Sequence, residues 1–360
     1  MKNRNKLFSI LIACLVSVIS VYAKNNVSYT GYAYTCSEAE AVIELDSLRF
    51  LHVTNENAKL PMASTTKILT AITVIDNIDI NKELTVPEAC AGVEGSSIYL
   101  KAGEKLTVKE LLYGLMLRSG NDCAETLAVA GFGSILQFTK LMNETAVKVG
   151  ANDSNFVNPH GLPDKNHYTT AHDLALISAY AMKNATFKEI VSTKRVEIRN
   201  GEEDYPRVLI NKNKMLSNFD GANGVKTGYT KAAGRCLVSS AERNGTDIIC
   251  VVINSPQMWE RSGELLNNAF SEYKVYKIVD SSAFHYCLPV KNTYKYCETY
   301  IKEDFSYPLT SYEKENLDIK VEMPDSLRLP VAKDAEIGKI EIYSSKQLIF
   351  SEKIYTLISI

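Results

Sequence analysis

A long stretch of helical periodicity, from Thr107 to Gly150, separates two regions whose patterns are typical of β-strands. Within it apolar residues recur every three or four positions, as on one face of a helix. Before it, residues 39–55 form two apolar runs around an Asp-Ser pair, which predicts a hairpin. After Gly221 the runs AAGRCLVSSAE and DIICVVIN predict strands. This order predicts an α+β domain rather than a series of βαβ units.

The chain is long enough for two domains, with 360 residues. From about residue 282 tyrosine becomes frequent, helical periodicity fades and short apolar runs such as DIKVEM and GKIEIY follow. We therefore expect a catalytic-type domain over residues 24–282 and a small all-β domain over 284–360. The net charge is −2, which argues against nucleic acid as a partner.

The N-terminus has the pattern of a secretory signal peptide. Basic residues Lys2, Arg4 and Lys6 precede an apolar run that ends in VYA at Ala23, as at a signal peptidase site. We expect residues 1–23 to be removed and the mature protein to act outside the cytoplasm. An uncleaved anchor, or lipidation at Cys14, remains an alternative.

The cysteine count does not predict a closed set of disulfides. Eight cysteines become seven after cleavage, which leaves at least one free thiol. A two-residue turn at Asn244-Gly245 would pair residues 239 and 250, and would send Cys236 and Cys250 to opposite faces of a hairpin. We therefore predict no bridge between these two.

Three short motifs occur in a fixed order along the exported chain. S-x-x-K at Ser64 and Lys67 is followed by SGN, from Ser119 to Asn121, and then by KTG, which starts at Lys226. S-x-x-K also occurs at residues 271–274 and 311–314, so this tetrapeptide alone is weak evidence. The ordered set is the one that marks penicillin-interacting serine enzymes, here with Gly in place of the usual middle Asp.

These residue types suit an acyl transfer. Ser64 would start a helix and Lys67 would lie one turn further on the same face, where a neutral lysine can take the serine proton. Burial and a nearby cation, Lys226, would lower the lysine pKa. Ser119 could relay a proton to the leaving amine, and Asn121 could orient Lys67 and the substrate amide.

The strand at the third motif would complete the site. A backbone N–H after the KTG motif, together with that of Ser64, could form an oxyanion hole. Gly228 would allow the substrate to approach this strand closely.

Each motif also has a plain structural interpretation. Ser64 could be a helix cap, the segment from Ser119 to Asn121 a turn with a cap, and the segment from Lys226 to Gly228 a turn at a strand edge. His160, in NPHGLP, is interpreted as structural, in a loop that borders the cleft, and Cys123 as a small core residue. The absence of H-E-x-x-H and C-x-x-C patterns argues against a metal site, and no cofactor is expected.

The sequence resembles the low-molecular-mass penicillin-binding proteins, the serine D-Ala-D-Ala carboxypeptidases of peptidase family S11. The resemblance runs from about Ala33 to the C-terminus and includes PMASTTKILTA, LLYGLMLRSGNDCAETLA, FVNPHGLPDKNHYTTAHDLALIS and GVKTGYTKAAGRCLVSSA. It implies a transpeptidase-like domain, with an antiparallel sheet, flanking helices and a helical subdomain, followed by a β-sandwich-like domain.

The resemblance also implies the roles of individual residues. Ser64 is then the acylated serine and Lys67 the general base, and Ser119, Asn121 and Lys226 complete the catalytic site. Thr227 and Tyr229 fall where the family binds its substrate, and Arg261 falls near an arginine for the terminal carboxylate. The implied partners are a peptidoglycan stem peptide that ends in D-Ala-D-Ala, and β-lactams as inhibitors.

Two other functions are compatible with parts of this pattern. A β-lactamase on the same fold usually needs an E-x-x-L-N-type carboxylate between the second and third motifs, and none occurs there. A non-catalytic wall-binding protein would not need the intact set of three motifs. The final segment SEKIYTLISI fits a last strand and is too short to span a bilayer, which predicts a secreted or wall-associated protein with at most weak membrane association.

Overall fold

The computed structural model describes residues 37–201 and 203–360. The segment interpreted as a signal peptide and Cys14 lie outside these residues. No helix within the described part is long and apolar enough to cross a bilayer.

The first part of the chain is built on a five-stranded antiparallel sheet. Its strands are Ala39–Glu44 (β1), Phe50–Thr54 (β2), Ala222–Thr230 (β7), Gly234–Arg243 (β8) and Thr246–Ile253 (β9). They lie in the order β2-β1-β9-β8-β7. Two short pairs are added by Glu83–Thr85 (β3) with Lys105–Thr107 (β4) and Arg195–Ile198 (β5) with Arg207–Ile210 (β6). The N- and C-terminal strand regions therefore meet in one sheet, and β7 lies at its edge.

Helices cover both faces of this sheet. The helices of the domain are Lys67–Asn77 (α1), Val108–Leu117 (α2), Asn121–Phe132 (α3), Ile135–Lys148 (α4), Ala171–Met182 (α5), Ala185–Ser192 (α6), Met215–Asn218 (α7) and Met258–Glu272 (α8). The larger core contains α1 to α6 and one face of the sheet, whereas α8 packs on the other face. The long helical stretch predicted from the sequence is thus the helical part of an α+β domain, as expected.

Local sequence signals account for several helix starts. Thr107 begins α2 with a capping box, in which its side chain accepts from the Glu110 N–H and Glu110 bonds back. Thr170 caps α5 by accepting from the N–H of Asp173. These caps fix where the helices begin without any contribution from the catalytic motifs.

The hairpin of β8 and β9 has the predicted register. Ser239 lies opposite Cys250. Cys236 belongs to the larger core and Cys250 to the core under α8, and both are free thiols. The prediction that these two cysteines lie on opposite faces and form no bridge is confirmed.

The last part of the chain is mainly β-structure, as predicted. It contains Tyr286–Pro289 (β11), Tyr296–Tyr300 (β12), Phe305–Leu309 (β13), Asp318–Glu322 (β14), Glu336–Ser344 (β15) and Gln347–Thr356 (β16), with a one-turn helix, Ser311–Glu315 (α9). Five strands form a sheet in the order β11-β12-β16-β15-β14. The remaining strand, β13, pairs with Lys274–Val279 (β10), which follows α8 directly.

Candidate active site

Ser64 lies in a short 3-10 turn, Ala63–Thr66, that leads into α1. Its side chain caps neither this turn nor α1, which begins after Thr66 without a side-chain cap. The Ser64 Oγ lies instead 3.0 Å from the Nζ of Lys67. The geometry therefore excludes the helix-cap interpretation and brings the hydroxyl to the lysine, as the spacing in the motif predicts.

Lys67 is fully buried in the first turn of α1. Its Nζ donates to the Oδ1 of Asn121 at 2.7 Å and to the backbone carbonyl of His160 at 2.6 Å. Burial and the nearby charge of Lys226 hold the pKa of Lys67 well below its usual value. This amine is therefore set up to be neutral beside a hydroxyl group.

The second motif connects α2 to α3. Ser119 is buried with a positive φ of 65°, and Asn121 is the first residue of α3. Neither residue caps a helix with its side chain. The turn-and-cap interpretation is thus wrong for the side chains, although the segment is a turn.

Asn121 is held from both sides. Its Nδ2 donates to the carbonyl of Glu94 at 2.6 Å, which leaves Oδ1 as the acceptor for Lys67. The next residue, Asp122, is buried, and its carboxylate accepts from the backbone N–H groups of Ile98 and Leu100. The loop before α2 is thereby fastened to the start of α3, and the amide of Asn121 has one defined orientation.

The third motif lies inside the edge strand β7. Lys226 is buried, and its Nζ donates to the carbonyl of Thr227 at 2.8 Å. Burial, with a contribution from the charge of Lys212, lowers the pKa of Lys226 to about 7. Lys212 also lowers the pKa of Lys67. The sequence contains no signal for Lys212, which lies just after β6 and far in the chain from Ser64 and Lys67.

A glycine is required at position 228 because the backbone of β7 lies close to the turn that carries Ser64. A Cβ at this position would lie 3.0 Å from the Met62 carbonyl oxygen and 3.0 Å from the Ser64 nitrogen. The sequence predicted that substrate would use this space, whereas part of it is taken by the turn that carries the serine. The missing side chain lets β7 lie directly against this turn, next to the N–H of Ser64.

The loop of residues 158–161 supplies a contact that the sequence analysis missed. His160 was interpreted as structural, and its buried ring agrees with this: Nδ1 accepts from the Leu162 N–H and Nε2 lies 3.3 Å from the carboxylate of Glu125. Burial, aided by the charge of Lys67, lowers the pKa of this ring to about 3. Its carbonyl, however, touches Lys67. The only pattern that could have indicated this contact is the Pro-His-Gly run, which predicts a tight loop.

Three of the residues predicted to bind substrate differ in their position relative to Ser64. Thr227 is half-buried in β7 and Tyr229 projects into solvent from the same strand. Arg261 is not brought to the site: it projects from α8, and its guanidinium donates to both carboxylate oxygens of Glu40, at 2.8 and 2.7 Å. This pair lies on the face of the sheet opposite to Lys226.

Comparisons with known proteins agree with this arrangement. The family model for D-alanyl-D-alanine carboxypeptidase, peptidase S11, matches residues 29–257, and the model for the C-terminal domain of penicillin-binding protein 5 matches residues 290–360. Among curated relatives, the D-alanyl-D-alanine carboxypeptidase DacF of Bacillus subtilis is 31% identical over 340 residues, which cover 91% of this chain and 87% of the relative. DacB2 of Mycobacterium tuberculosis is 33% identical over 240 residues, 64% of this chain and 81% of the relative.

Solved structures give the same result. Penicillin-binding protein 5 from Haemophilus influenzae superposes with a TM-score of 0.75 at 25% identity, covering 90% of this chain and 97% of that protein. The D-alanyl-D-alanine carboxypeptidase DacD from Francisella tularensis superposes with a TM-score of 0.71 at 25% identity, covering 90% and 93%. Both alignments extend over most of the described chain, so the similarity is not confined to the three motifs.

Proposed function

The chain belongs to the D-alanyl-D-alanine carboxypeptidase family, penicillin-binding serine peptidases that act on peptidoglycan ending in D-Ala-D-Ala, and from this premise we propose that Ser64 is its nucleophile and Lys67 the base. The substrate is a stem peptide, and β-lactams bind as its mimics. We assign the other roles in the reaction from the contacts around Ser64.

The observation that carries the proposal is the set of contacts at the Lys67 amine. A neutral amine has two N–H groups and one lone pair, and two acceptors lie at 2.7 and 2.6 Å, the Asn121 Oδ1 and the His160 carbonyl. The third neighbour, the Ser64 Oγ at 3.0 Å, can then donate its proton to the lone pair. The lowered pKa of Lys67 favours this neutral form.

The acylation step follows from these contacts. Lys67 takes the proton of Ser64 as Oγ forms a bond to the carbonyl carbon of the penultimate D-Ala. The oxyanion is stabilised by the N–H of Ser64 and an N–H of β7 beyond Gly228. When the C–N bond breaks, the proton passes to the amine of the departing D-Ala, with Ser119 as the relay.

Hydrolysis completes the reaction. A water molecule loses a proton to Lys67 and attacks the acyl carbonyl, which restores the Ser64 hydroxyl and releases the shortened peptide. The cation of Lys226, with its neighbour Lys212, attracts the terminal carboxylate of the substrate. Thr227 and Tyr229 contribute to the strand along which the peptide binds.

The test compares serines that share the same tetrapeptide pattern. Ser64→Ala should abolish both labelling by penicillin and release of D-Ala, because it removes the hydroxyl that forms the acyl bond. Its thermal unfolding should stay close to wild type, since this serine caps no helix. Ser271→Ala and Ser311→Ala are matched controls, because both serines start an S-x-x-K pattern but lie elsewhere.

The outcome decides the assignment. The controls should retain labelling and D-Ala release. Persistent labelling of Ser64→Ala at the wild-type rate would contradict the nucleophile assignment. Lys67→Ala should slow acylation by roughly 10²–10⁴-fold, the usual contribution of a general base.

We further infer that residues 1–23 direct export and are removed. The basic start, the apolar run and the VYA end support this interpretation. The mature protein is then secreted or wall-associated. N-terminal sequencing of the mature protein should begin at Lys24, and a start at Met1 or a lipid on Cys14 would contradict the inference.

A further inference from the structure

A groove of about 610 Å³ runs beside the candidate active site and takes no part in the chemistry described above. Its walls include Pro61, Pro163, Tyr168 and Ala232. We call it the upstream groove. Pro61 lies two residues before the Ser64 turn begins at Ala63, and Ala232 follows the end of β7, so the groove lies beside both the nucleophile turn and the edge strand.

The groove is joined to the nucleophile turn by a buried hydrogen bond. His167 lines it, and the Nε2 of this ring lies 2.8 Å from the hydroxyl of Thr66. The ring Nδ1 accepts from the Val157 N–H, so Nε2 carries the proton and donates it to Thr66. Burial lowers the pKa of His167 to about 4, so this donor is the neutral ring at neutral pH. The groove wall therefore has a fixed position relative to Ser64.

Charge sets the direction in which a peptide would lie on β7. The terminal carboxylate is one residue beyond the scissile bond and is attracted to Lys226, which precedes Gly228 in the strand. A peptide that pairs with the edge strand in the antiparallel sense then runs, from its N-terminus to its C-terminus, towards Lys226, so its earlier residues lie beside Thr230. Thr230 is about 7 Å from Gly228 at the usual rise of a strand, and Ala232 follows in the turn. The next residues upstream reach the groove.

The polar groups of the groove favour an anion. Lys59 and Lys165 line it. Lys59 pairs with Asp153 at 3.1 Å and lies over the ring of Tyr168, whereas Lys165 is exposed and has no ion-pair partner among the described residues. Asp164 is the carboxylate in the lining, and its Oδ1 already accepts from the N–H of Asn166 at 2.7 Å. Lys165 is thus available to a ligand.

We propose that the upstream groove binds the part of the stem peptide that precedes D-Ala-D-Ala, and that Lys165 recognises a carboxylate carried by that segment. The inference rests on the proposed function, because Ser64 fixes the position of the scissile bond. It adds a second binding region, which selects extended anionic peptides over short neutral ones. The apolar walls bind the backbone of the segment and the lysine selects its charge.

The experiment uses three acetylated peptides with the same last three residues, ending in D-Ala-D-Ala. One is the tripeptide alone, and two are pentapeptides that differ only by Glu or Gln at one of the added positions. The mature enzyme should have a higher kcat/KM for both pentapeptides than for the tripeptide. The Glu peptide should exceed the Gln peptide by about two- to fivefold, the range for one exposed ion pair. High salt should reduce this preference.

Two variants isolate the lysine. Lys165→Gln should remove the preference for Glu over Gln, whereas Lys140→Gln, an exposed lysine on α4, should retain it. An unchanged preference in Lys165→Gln, or equal rates for the tripeptide and both pentapeptides, would overturn the inference. Penicillin labelling with tripeptide cleavage confirms that the proposed function stands in each variant. Absence of both activities in the wild-type enzyme would remove that premise and overturn the inference with it.

Discussion

Gly161 sets the position of the turn that carries the nucleophile. It has a φ of +90°, and a Cβ at this position would lie 1.9 Å from the carbonyl oxygen of Ala63 and 3.0 Å from the nitrogen of Ser64. The neighbouring carbonyl of His160 accepts from Lys67. One peptide unit therefore supports both the serine and the lysine, and no side chain can be added to it without moving one of them.

Gly161→Ala should consequently lose activity beyond any loss of stability. Displacing a reacting group by about 1 Å costs roughly 10²-fold, so we expect the rate of acylation by penicillin to fall by at least this factor. Gly103→Ala is the matched control, because Gly103 also has a positive φ, +79°, but nothing lies within 4 Å of its Cβ position. Both variants carry a similar backbone strain of about 1 kcal/mol.

The measurements are the second-order rate of penicillin acylation and the thermal unfolding of each variant. Gly103→Ala should have a lower melting temperature and a normal acylation rate. If Gly161→Ala acylates as fast as Gly103→Ala, the proposed support of Ser64 by this loop is wrong.

The sequence could predict some of these residues and not others, for a physical reason. Ser64 and Lys67 lie one helical turn apart, so their contact follows from local geometry. The carbonyl of His160 and the charge of Lys212 reach the site only through distant returns of the chain. A backbone carbonyl belongs to every residue type, so a sequence carries no mark of the one that will accept a hydrogen bond from Lys67.

Helix α8 places Arg261 where it stabilises the fold. The guanidinium donates to the buried carboxylate of Glu40 in β1. Burial alone would raise the pKa of Glu40, but hydrogen bonds from Arg261 and His52 outweigh it and lower the pKa to about 2. The pair therefore connects α8 to β1 in the sheet, away from the site that the resemblance implied for this arginine.

Removal of Arg261 should reduce stability more than activity. Arg261→Ala leaves the carboxylate of Glu40 buried without its guanidinium partner, so we expect the free energy of unfolding to fall by about 2–4 kcal/mol. The folded fraction should acylate with penicillin at close to the wild-type rate. Arg195→Ala is the control, because Arg195 pairs with Glu197 at an exposed position, where such pairs contribute about 0–1 kcal/mol.

Urea unfolding and the acylation rate distinguish the two roles of Arg261. Unchanged stability together with a tenfold or larger fall in kcat/KM for D-Ala release would contradict the structural role. It would instead support the role that the resemblance implied for Arg261, binding of the terminal carboxylate of the substrate.

Among the helices and strands, the sequence predicted the ones whose packing or pairing partners are close in the chain. The hairpin of β1 and β2 and the helical stretch from α2 to α4 have strong local patterns and formed as expected. Helix α8 ends at Glu272, and Lys274–Val279 becomes strand β10. Its partner β13 lies some thirty residues further on, so the pairing has no local signal.

The two parts of the molecule have separate cores but share a boundary strand. The C-terminal core is built around Val279, Ile301, Ile340, Ile342 and Ile354, and none of these belongs to the two cores of the first part. Arg49, in the loop between β1 and β2, forms an ion pair with Glu313, and its guanidinium lies over the rings of Tyr273 and Tyr307. Arg49 therefore links the first part to the C-terminal part, and β10 pairs with the C-terminal part through β13.

This arrangement predicts how the chain tolerates truncation. Residues 24–273 retain α8 and both catalytic-domain cores, and should fold and label with penicillin on Ser64. Residues 24–282, cut at the composition change, retain β10 without β13. An unpaired strand edge with exposed apolar residues promotes association between chains, so this longer fragment should aggregate more.

The comparison requires size-exclusion chromatography, circular dichroism and penicillin labelling of both fragments beside the full mature chain. We expect the shorter fragment to be monodisperse and to acylate within a few-fold of the full chain, because none of the contacts made by Lys67 comes from beyond residue 273. Folded, soluble 24–273 that does not label would show that the C-terminal part supports the active site. Equal solubility of the two fragments would place the functional boundary at residue 282 and leave β10 with the catalytic domain.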